Sequence, residues 1–313
     1  MPSPTRSIHV VAAVITDARG RILLNRRTEN RDMAGLWEFP GGKREAGESS
    51  EAALVRELRE ELGIEAEIGA WLMDVPQVYP DKHLLLEVRH VRSWKGTPRG
   101  REGQAVTWVA PDKLGRYSMP PADLPVVAAL READQYLILG SPDEGTDALA
   151  HWQAQVQQAV AQGQRRIQLD VASAQAASTA VLRPLLRQQK PPVDWLLSRD
   201  VATAKALGVG VHLGSDQLDG LVERPLPADQ SVAATCHSLQ DLQAAQRLGC
   251  DFVVLGPVQP CAAYPQTPAL GWQAFAELRA QVSLPIYAHG GLDADDIAQA
   301  RRHGAQGIAT SLR

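Results

Sequence analysis

Three glutamates, Glu57, Glu60 and Glu61, stand at spacings of i, i+3 and i+4. In a helix that spacing places them on one face. Like charges so arranged oppose helix formation by roughly 0.2–0.5 kcal/mol per pair, so a counter-charge is expected. Carboxylate oxygens are hard donors that suit Mg²⁺, with Mn²⁺ as the alternative, and do not suit zinc. Mg²⁺ held by a few carboxylates commonly completes its shell with substrate phosphates, which makes a diphosphate the natural ligand. For a Glu-Glu pair alone, a solvated acidic face is the plainer reading. The surrounding pattern is far more demanding. From Gly41 the chain runs GGKREAGESSEAALVRELREELGI. Set out by spacing, this is Gly42, five residues, Glu48, seven residues, then Arg56-Glu57-Leu58-Arg59-Glu60-Glu61-Leu62-Gly63-Ile64. A chance match to that set of residue types is on the order of 10⁻⁷ for a chain of this length.

The elements that must carry these residues are legible around them. Residues 47–62 read as one helix, with Leu54, Leu58 and Leu62 forming an apolar stripe. Ser49 is placed to cap its start, and Gly63 to take the left-handed position at its end. Strands are expected over 8–15, 21–24, 83–94 and 107–109, with a turn at 17–20. A helix over 124–136 closes this first unit. Beyond it, short apolar runs at 136–139, 166–170, 194–197, 210–213, 232–236, 252–255, 285–288 and 307–311 alternate with helical stretches such as 239–248 and 294–303. Eight such runs point to a parallel (β/α)₈ barrel. A doubly wound open sheet has the same local pattern and is the alternative. The expected class is therefore α/β throughout. The expected domains are 1–132 and 133–313, with the boundary near Ala133 and the two parts packed together.

Composition narrows the setting without naming a chemistry. The chain has 313 residues, 44% hydrophobic and 22% charged, which fits two ordinary globular domains. Its net charge of −4 offers no global positive field for nucleic acid. Three cysteines, Cys236, Cys250 and Cys261, fit a reducing compartment better than a disulfide framework. No apolar run has the length of a signal peptide or a membrane span. A cytoplasmic protein without a membrane or nucleic-acid partner is the expectation.

The glycine-glutamate pattern is the signature of the Nudix hydrolases, matched at every fixed position. Further residues resemble the MutT branch, whose members cleave oxidised guanine nucleoside triphosphates. These are Asn25-Arg26-Arg27, Met33-Ala34, the run from Glu38 to Lys43, the run from Pro80 to His83, Trp94, Glu102-Gly103-Gln104 and Pro120-Pro121-Ala122. The resemblance covers about residues 5–131. It implies a Nudix α/β/α sandwich and a divalent metal, Mg²⁺ or Mn²⁺, held by Glu57, Glu60, Glu61, Glu102 and the Gly41 carbonyl. It implies Glu57 as the base that activates water, with Glu102 as its candidate assistant, Glu60 as a further catalytic glutamate, and Arg56 orienting a glutamate by ion pairing. Attack on the second phosphorus then gives nucleoside monophosphate and pyrophosphate. The implied nucleotide-binding residues are Arg27, Glu38, Phe39, Pro40, Gly41, Tyr79 and Asp123. Phe39 or Tyr79 is placed to stack on a purine, and each also reads as plain core. Asp123 departs from the asparagine frequent in this branch. An ionised aspartate only accepts hydrogen bonds, whereas a protonated one also donates. A simple helix cap before Leu124 is the bland reading of Asp123. The expected function is Mg²⁺-dependent hydrolysis of 8-oxo-dGTP, cleansing the nucleotide pool for DNA replication. The alternatives are a pyrophosphatase acting on thiamin-related diphosphates and a ligand sensor without turnover.

In the second part, residues 210–214, Cys236-His237-Ser238, the stretch 251–258 and Ala288-His289-Gly290-Gly291 resemble thiamin phosphate synthase and the thiazole tautomerase TenI. The match spans about 134–313 and is clear from the fourth strand onward. Charged groups of the synthase pattern are replaced. Its Gln-x-Arg-x-Lys reads Gln168-Leu169-Asp170-Val171-Ala172 here, and its Asn-Asp-Arg reads Ser198-Arg199-Asp200. Its lysine after strand six is missing from residues 259–267. The sequence stops just past the eighth strand, short of a closing helix. Loss of synthase activity is therefore expected. A phosphate or thiazole ligand, a supporting role, or tautomerisation through His237 or Cys236 remains open for the barrel. Three histidines near one rim read as separate strand-end residues rather than as a zinc site.

Overall fold

The computed structural model describes residues 6–29, 31–141, 148–171, 179–187, 192–261 and 266–312. Two compact units form. The first comprises Met1–Glu132 with Arg279–Ser283 and Arg301–Ala305, and the second the remainder. The first unit contains β1 (Arg6–Val14), β2 (Ile22–Arg26), β3 (Trp37–Glu38), β4 (Gly41–Lys43), α1 (Ser50–Leu62), β5 (Glu65–Tyr79), β6 (Lys82–Lys95), β7 (Val106–Val109) and α2 (Leu124–Arg131). One sheet runs β4-β1-β6-β5 and a second runs β3-β2-β7.

Strand β1 divides two cores. Successive side chains of a strand point to opposite faces. Val11, Ala13 and Ile15 pack with Leu54, Leu58 and Leu62 of α1. Ala12 and Val14 pack on the other side with Val126 and Val127 of α2. The leucine stripe expected on the helix is thus the face that α1 buries. Ser49 caps it by accepting from Ala52 N at 3.2 Å, and Gly63 ends it at φ 69°. The helix starts at Ser50 rather than at residue 47, because Gly47 sits at φ 82°, in a turn. The expected helix over 124–136 stops at Arg131, where Glu132 becomes extended, and a strand follows from Gln135. Three strands escaped the sequence reading: β3, β4 and β5. The first two are two and three residues long. In β5, register shifts between Glu67 and Met73 break the alternation that marks a strand.

In the second unit, β8 (Gln135–Leu139), β9 (Arg166–Leu169), β10 (Asp194–Ser198), β11 (Gly210–Leu213), β12 (Val232–Cys236), β13 (Phe252–Leu255), β14 (Ile286–His289) and β15 (Gly307–Leu312) close into a parallel barrel. Strand β15 pairs with β8, which excludes the open sheet. The described helices are α3 (Ala148–Ala161), α4 (Thr179–Arg187), α5 (Val201–Leu207), α6 (Ser215–Leu218), α7 (Leu239–Leu248), α8 (Gly271–Arg279) and α9 (Ile297–Arg302). The stretch expected as a helix over 294–303 begins as a 3₁₀ turn, Ala294–Asp296, before α9. The barrel interior is filled by Tyr136, Leu196, Phe252 and Tyr287. No helix among the described residues is long and apolar enough to cross a membrane.

Candidate active site

Helix α1 presents its glutamates to a glycine strand. A methyl group built on Gly42 would lie 2.2 Å from the Glu57 carboxyl carbon, so only glycine leaves room for that carboxylate. Gly41 is equally constrained, since a Cβ there would fall 2.1 Å from the Val11 carbonyl oxygen. The pairing of β4 with β1 therefore demands the glycines that place the loop beside Glu57. Arg56 holds the cluster from the side. Its Nη1 lies 2.8 Å from Glu57 Oε1 and 3.5 Å from Glu60 Oε2. Its Nε and Nη2 donate to Glu48 at 3.1 and 3.0 Å, and Nη2 also donates to the Lys43 carbonyl. Arg56 thus meets three of the glutamates in the pattern at once, more than a lone surface salt bridge.

Glu102 arrives from a loop remote in sequence. The last carbonyls of a helix lack intrahelical donors. Here Arg99 N donates to Leu62 O at 3.1 Å, and Arg101 N to Glu61 O at 2.9 Å. Gln104 adds a side-chain donation to Glu61 O at 3.1 Å and accepts from Glu102 N at 2.8 Å. The loop is therefore docked on the end of α1, which brings Glu102 next to Glu61. Glu61 is almost fully buried, its Oε2 has no partner, and burial pushes its carboxyl up to about 7 against the pull of Arg31. Glu60 is half exposed.

Arg31, which nothing in the spacing singles out, fills the gap. Its Nη2 lies 2.8 Å from Glu61 Oε1 and 2.7 Å from Glu102 Oε2. With these pairs in place, no three His, Cys, Asp or Glu side chains converge among the described residues as a ready metal cage. The donors nevertheless fit a hard cation. They are all oxygens, and one of them, Glu61 Oε2, is buried and orphaned.

Beside this cluster lies a cavity of about 600 Å³ lined by Arg27, Glu38, Phe39, Gly41, Glu57, Tyr79 and Asp123 among others. Six of these seven are sequence-expected nucleotide-binding residues. Pro40 is buried between them in the chain, and its carbonyl accepts from Ala13 N. Glu38 is buried, paired with Arg27, and accepts from Asn25 at 3.3 Å. Desolvation raises its carboxyl despite Arg27. Phe39 is part of the core packed against α2, as the plainer reading held. Tyr79 is half-buried, with Lys82 over its ring at 5.5 Å. The capping reading of Asp123 does not hold. It makes no cap hydrogen bond to α2, and its Oδ1 accepts instead from Phe39 N at 3.3 Å. Burial, then the nearby Glu38 charge, pushes Asp123 up to about 8.

The barrel has its own cavity, about 310 Å³, at the C-terminal strand ends, where barrel chemistry sits. Ser198 donates to Asp170 at 2.7 Å, and Arg199 forms a fork with Asp216 at 2.8 and 2.5 Å. Tyr136 OH lies 3.0 Å from His212 Nδ1 and donates to Gln168, while His212 Nε2 lies 2.8 Å from Thr235. Burial lowers His212 to about 3 and His289 to about 4, so both are neutral. Among the described residues the three rim histidines form no metal group. Cys236 is buried, which raises its thiol far above neutrality. Ala172 and residues 262–265 lie outside the described residues.

The fit of Glu57 to Gly42 carries a direct expectation. Gly42→Ala should displace the Glu57 carboxylate and lower any hydrolytic rate that depends on it by about 10²-fold, the cost of a displacement of about 1 Å at a reacting centre. Steady-state rates beside an unchanged circular dichroism spectrum check it. An alanine variant with wild-type rates would mean that Glu57 need not lie against the glycine strand.

Known proteins match both units. A profile described as "NUDIX domain" matches residues 11–129, and one described as "Thiamine monophosphate synthase" matches residues 135–312. The chain is 44% identical over 124 residues to a CTP pyrophosphohydrolase of Escherichia coli, spanning 40% of this chain and 91% of that one. It is 36% identical over 126 residues to an 8-oxo-dGTP diphosphatase of the same organism, spanning 40% and 98%. Over 161 residues it is 34% identical to a thiamine-phosphate synthase of Azorhizobium caulinodans, spanning 49% and 75%. The glutamate helix, the docked loop and the closed barrel thus have relatives of two kinds: the chain belongs to the Nudix hydrolases through its first part and to the thiamine monophosphate synthase family through its second.

Proposed function

We propose that residues 1–132 hydrolyse 8-oxo-dGTP to 8-oxo-dGMP and pyrophosphate with Mg²⁺, Mn²⁺ serving as a substitute. The observation that carries this reading is the juxtaposition of the glutamate cluster with the cavity that Asp123 lines. Glu57, Glu60, Glu61, Glu102 and the Gly41 carbonyl would hold the cation, which neutralises phosphate charge when bound. Glu57 takes the proton of the attacking water, and Arg56 keeps its carboxylate in place. Glu102 assists Glu57 and Glu60 is a further catalytic glutamate, both about half exposed. Arg27, Glu38 and Tyr79 shape the nucleoside pocket.

Base selection falls to Asp123. Held neutral, its carboxyl has one donor and one free acceptor, like an amide. The 8-oxo form of guanine presents O6 as an acceptor beside an N7–H donor, which that carboxyl complements. Unmodified guanine presents acceptors at both O6 and N7, which it does not. The same neutral acid also complements the N3 acceptor and N4 donor of cytosine. That supports a second reading, a cytosine nucleoside triphosphate, in keeping with the name of the E. coli relative.

The barrel is proposed to have lost synthase chemistry, because Arg199 and Asp170 replace charged residues of the synthase pattern and are already paired. It keeps a ligand cavity of a size for a thiazole phosphate. One panel tests all of this: pyrophosphate release from 8-oxo-dGTP, dGTP and CTP, orthophosphate release from thiamin diphosphate, and thiamin phosphate formation from its two precursors. The expected result is release from 8-oxo-dGTP far above dGTP, none from thiamin diphosphate, and no thiamin phosphate. Equal rates on dGTP and 8-oxo-dGTP would overturn the base reading.

A further inference from the structure

The position of Arg31 has no counterpart in the chemistry so far assigned. One nitrogen, Nη2, serves two carboxylates: Glu61 Oε1 at 2.8 Å and Glu102 Oε2 at 2.7 Å. Those two oxygens are therefore no more than about 5.5 Å apart, and the same guanidinium nitrogen touches both. A divalent cation held by both carboxylates would need the space that this nitrogen occupies. Glu38 completes the surroundings at 3.8 Å from Nη1.

The burial of the partners is unequal. The Glu61 side chain is 2% exposed, while Arg31 is 36% exposed. A buried carboxylate without a counter-charge is strongly disfavoured. Arg31 relieves that for one oxygen of Glu61 and leaves the other, Oε2, bare. A half-exposed arginine is therefore an incomplete substitute for an ion, held on a flexible stem that can leave. Its backbone need not follow. Arg31 N donates to Thr28 O at 3.1 Å, and the next residue, Asp32, is tied to Lys82 at 2.7 Å and by its carbonyl to Arg27. Only the side chain has to swing, and it also lines the nucleotide cavity into which it would turn.

We propose that Arg31 is a built-in competitor of the divalent cation: it occupies the space between Glu61 and Glu102 when the ion is absent and is displaced when the ion enters. Arg31 is on this account a positioning residue that sets the apparent metal affinity and keeps the two carboxylates together for the exchange. The proposal rests on the metal reading given above.

The test is a Mn²⁺ titration of the full chain without nucleotide, at mildly alkaline pH, following free Mn²⁺ by its paramagnetic resonance signal. Removing a competitor tightens binding, so Arg31→Ala and Arg31→Gln should each lower the Mn²⁺ Kd by about tenfold, equivalent to about 1.4 kcal/mol. Arg31→Lys keeps the charge and should stay within about threefold of the wild type. Unchanged or weaker binding in both neutral variants, with wild-type binding intact, would overturn the proposal alone. Absence of Mn²⁺ binding in every protein, wild type included, would overturn the metal reading and this proposal with it. The three variants replace a partly exposed side chain, and agreement between alanine and glutamine separates the charge effect from a packing defect.

Discussion

Replacing Glu57 with glutamine is expected to lower kcat for nucleotide hydrolysis by about 10³-fold with little change in thermal stability. The reasoning starts from shape. Glutamine has the volume of glutamate, and the space over Gly42 that admits the carboxylate admits the amide equally. What changes is basicity: an amide cannot take a proton from water, and general base catalysis contributes about 10² to 10⁴ in rate. Arg56 would lose one ion pair at 2.8 Å while keeping Glu48 at 3.0 Å, so the helix surface retains most of its pairing. Pyrophosphate release measured beside a melting curve separates the two quantities. A variant with more than a tenth of wild-type activity would remove Glu57 from the role of base and return it to Glu60 or Glu102.

The second large effect concerns Asp123 and has a definite sign with pH. Burial lifts this carboxyl from 3.8 to about 8, so it is protonated through neutrality and ionises only above that value. The neutral form can donate to O6 and accept from N7–H of 8-oxoguanine, while its Oδ1 still accepts from Phe39 N at 3.3 Å. The ionised form has no proton to donate. Accordingly, kcat/KM for 8-oxo-dGTP should hold up to about pH 8 and fall beyond it. Asp123→Asn fixes one donor and one acceptor permanently, so it should keep most of the activity and lose that alkaline fall. Asp123→Leu should lose about 10² to 10³ in kcat/KM, because a base edge would meet an apolar wall. If the asparagine and aspartate enzymes share one alkaline profile, the fall belongs to another group. If CTP shows the steeper dependence, the cytosine reading takes precedence.

Much of this site was legible because it is encoded locally. The Gly42-to-Ile64 pattern sits in one glycine strand and one helix, and helical periodicity alone gathers Glu57, Glu60 and Glu61. The caps Ser49 and Gly63 were readable for the same reason, whereas the start was placed three residues early, at Gly47, whose positive φ no periodicity reports. Barrel strands were readable because fully buried parallel strands are short continuous apolar runs. Strand β5 was not, since its register shifts spoil the alternation over Glu67–Met73. Arg31 was invisible for a different reason: it is a lone arginine in a polar segment, and its partners are 30 and 71 residues away. Asp123 was seen as a departure, but its protonation depends on burial beside Glu38, which spacing does not report.

The docking of residues 99–104 on the end of α1 has one more implication, for how such enzymes diversify. Two backbone donations and one glutamine secure that segment, and none of them uses the Glu102 side chain. The attachment is therefore indifferent to what the segment carries at its tip. A chain built this way can exchange the acidic residue there, or lengthen the stretch around it, without disturbing the helix that holds the remaining glutamates. The helix terminus acts as a socket, and the segment as a replaceable part.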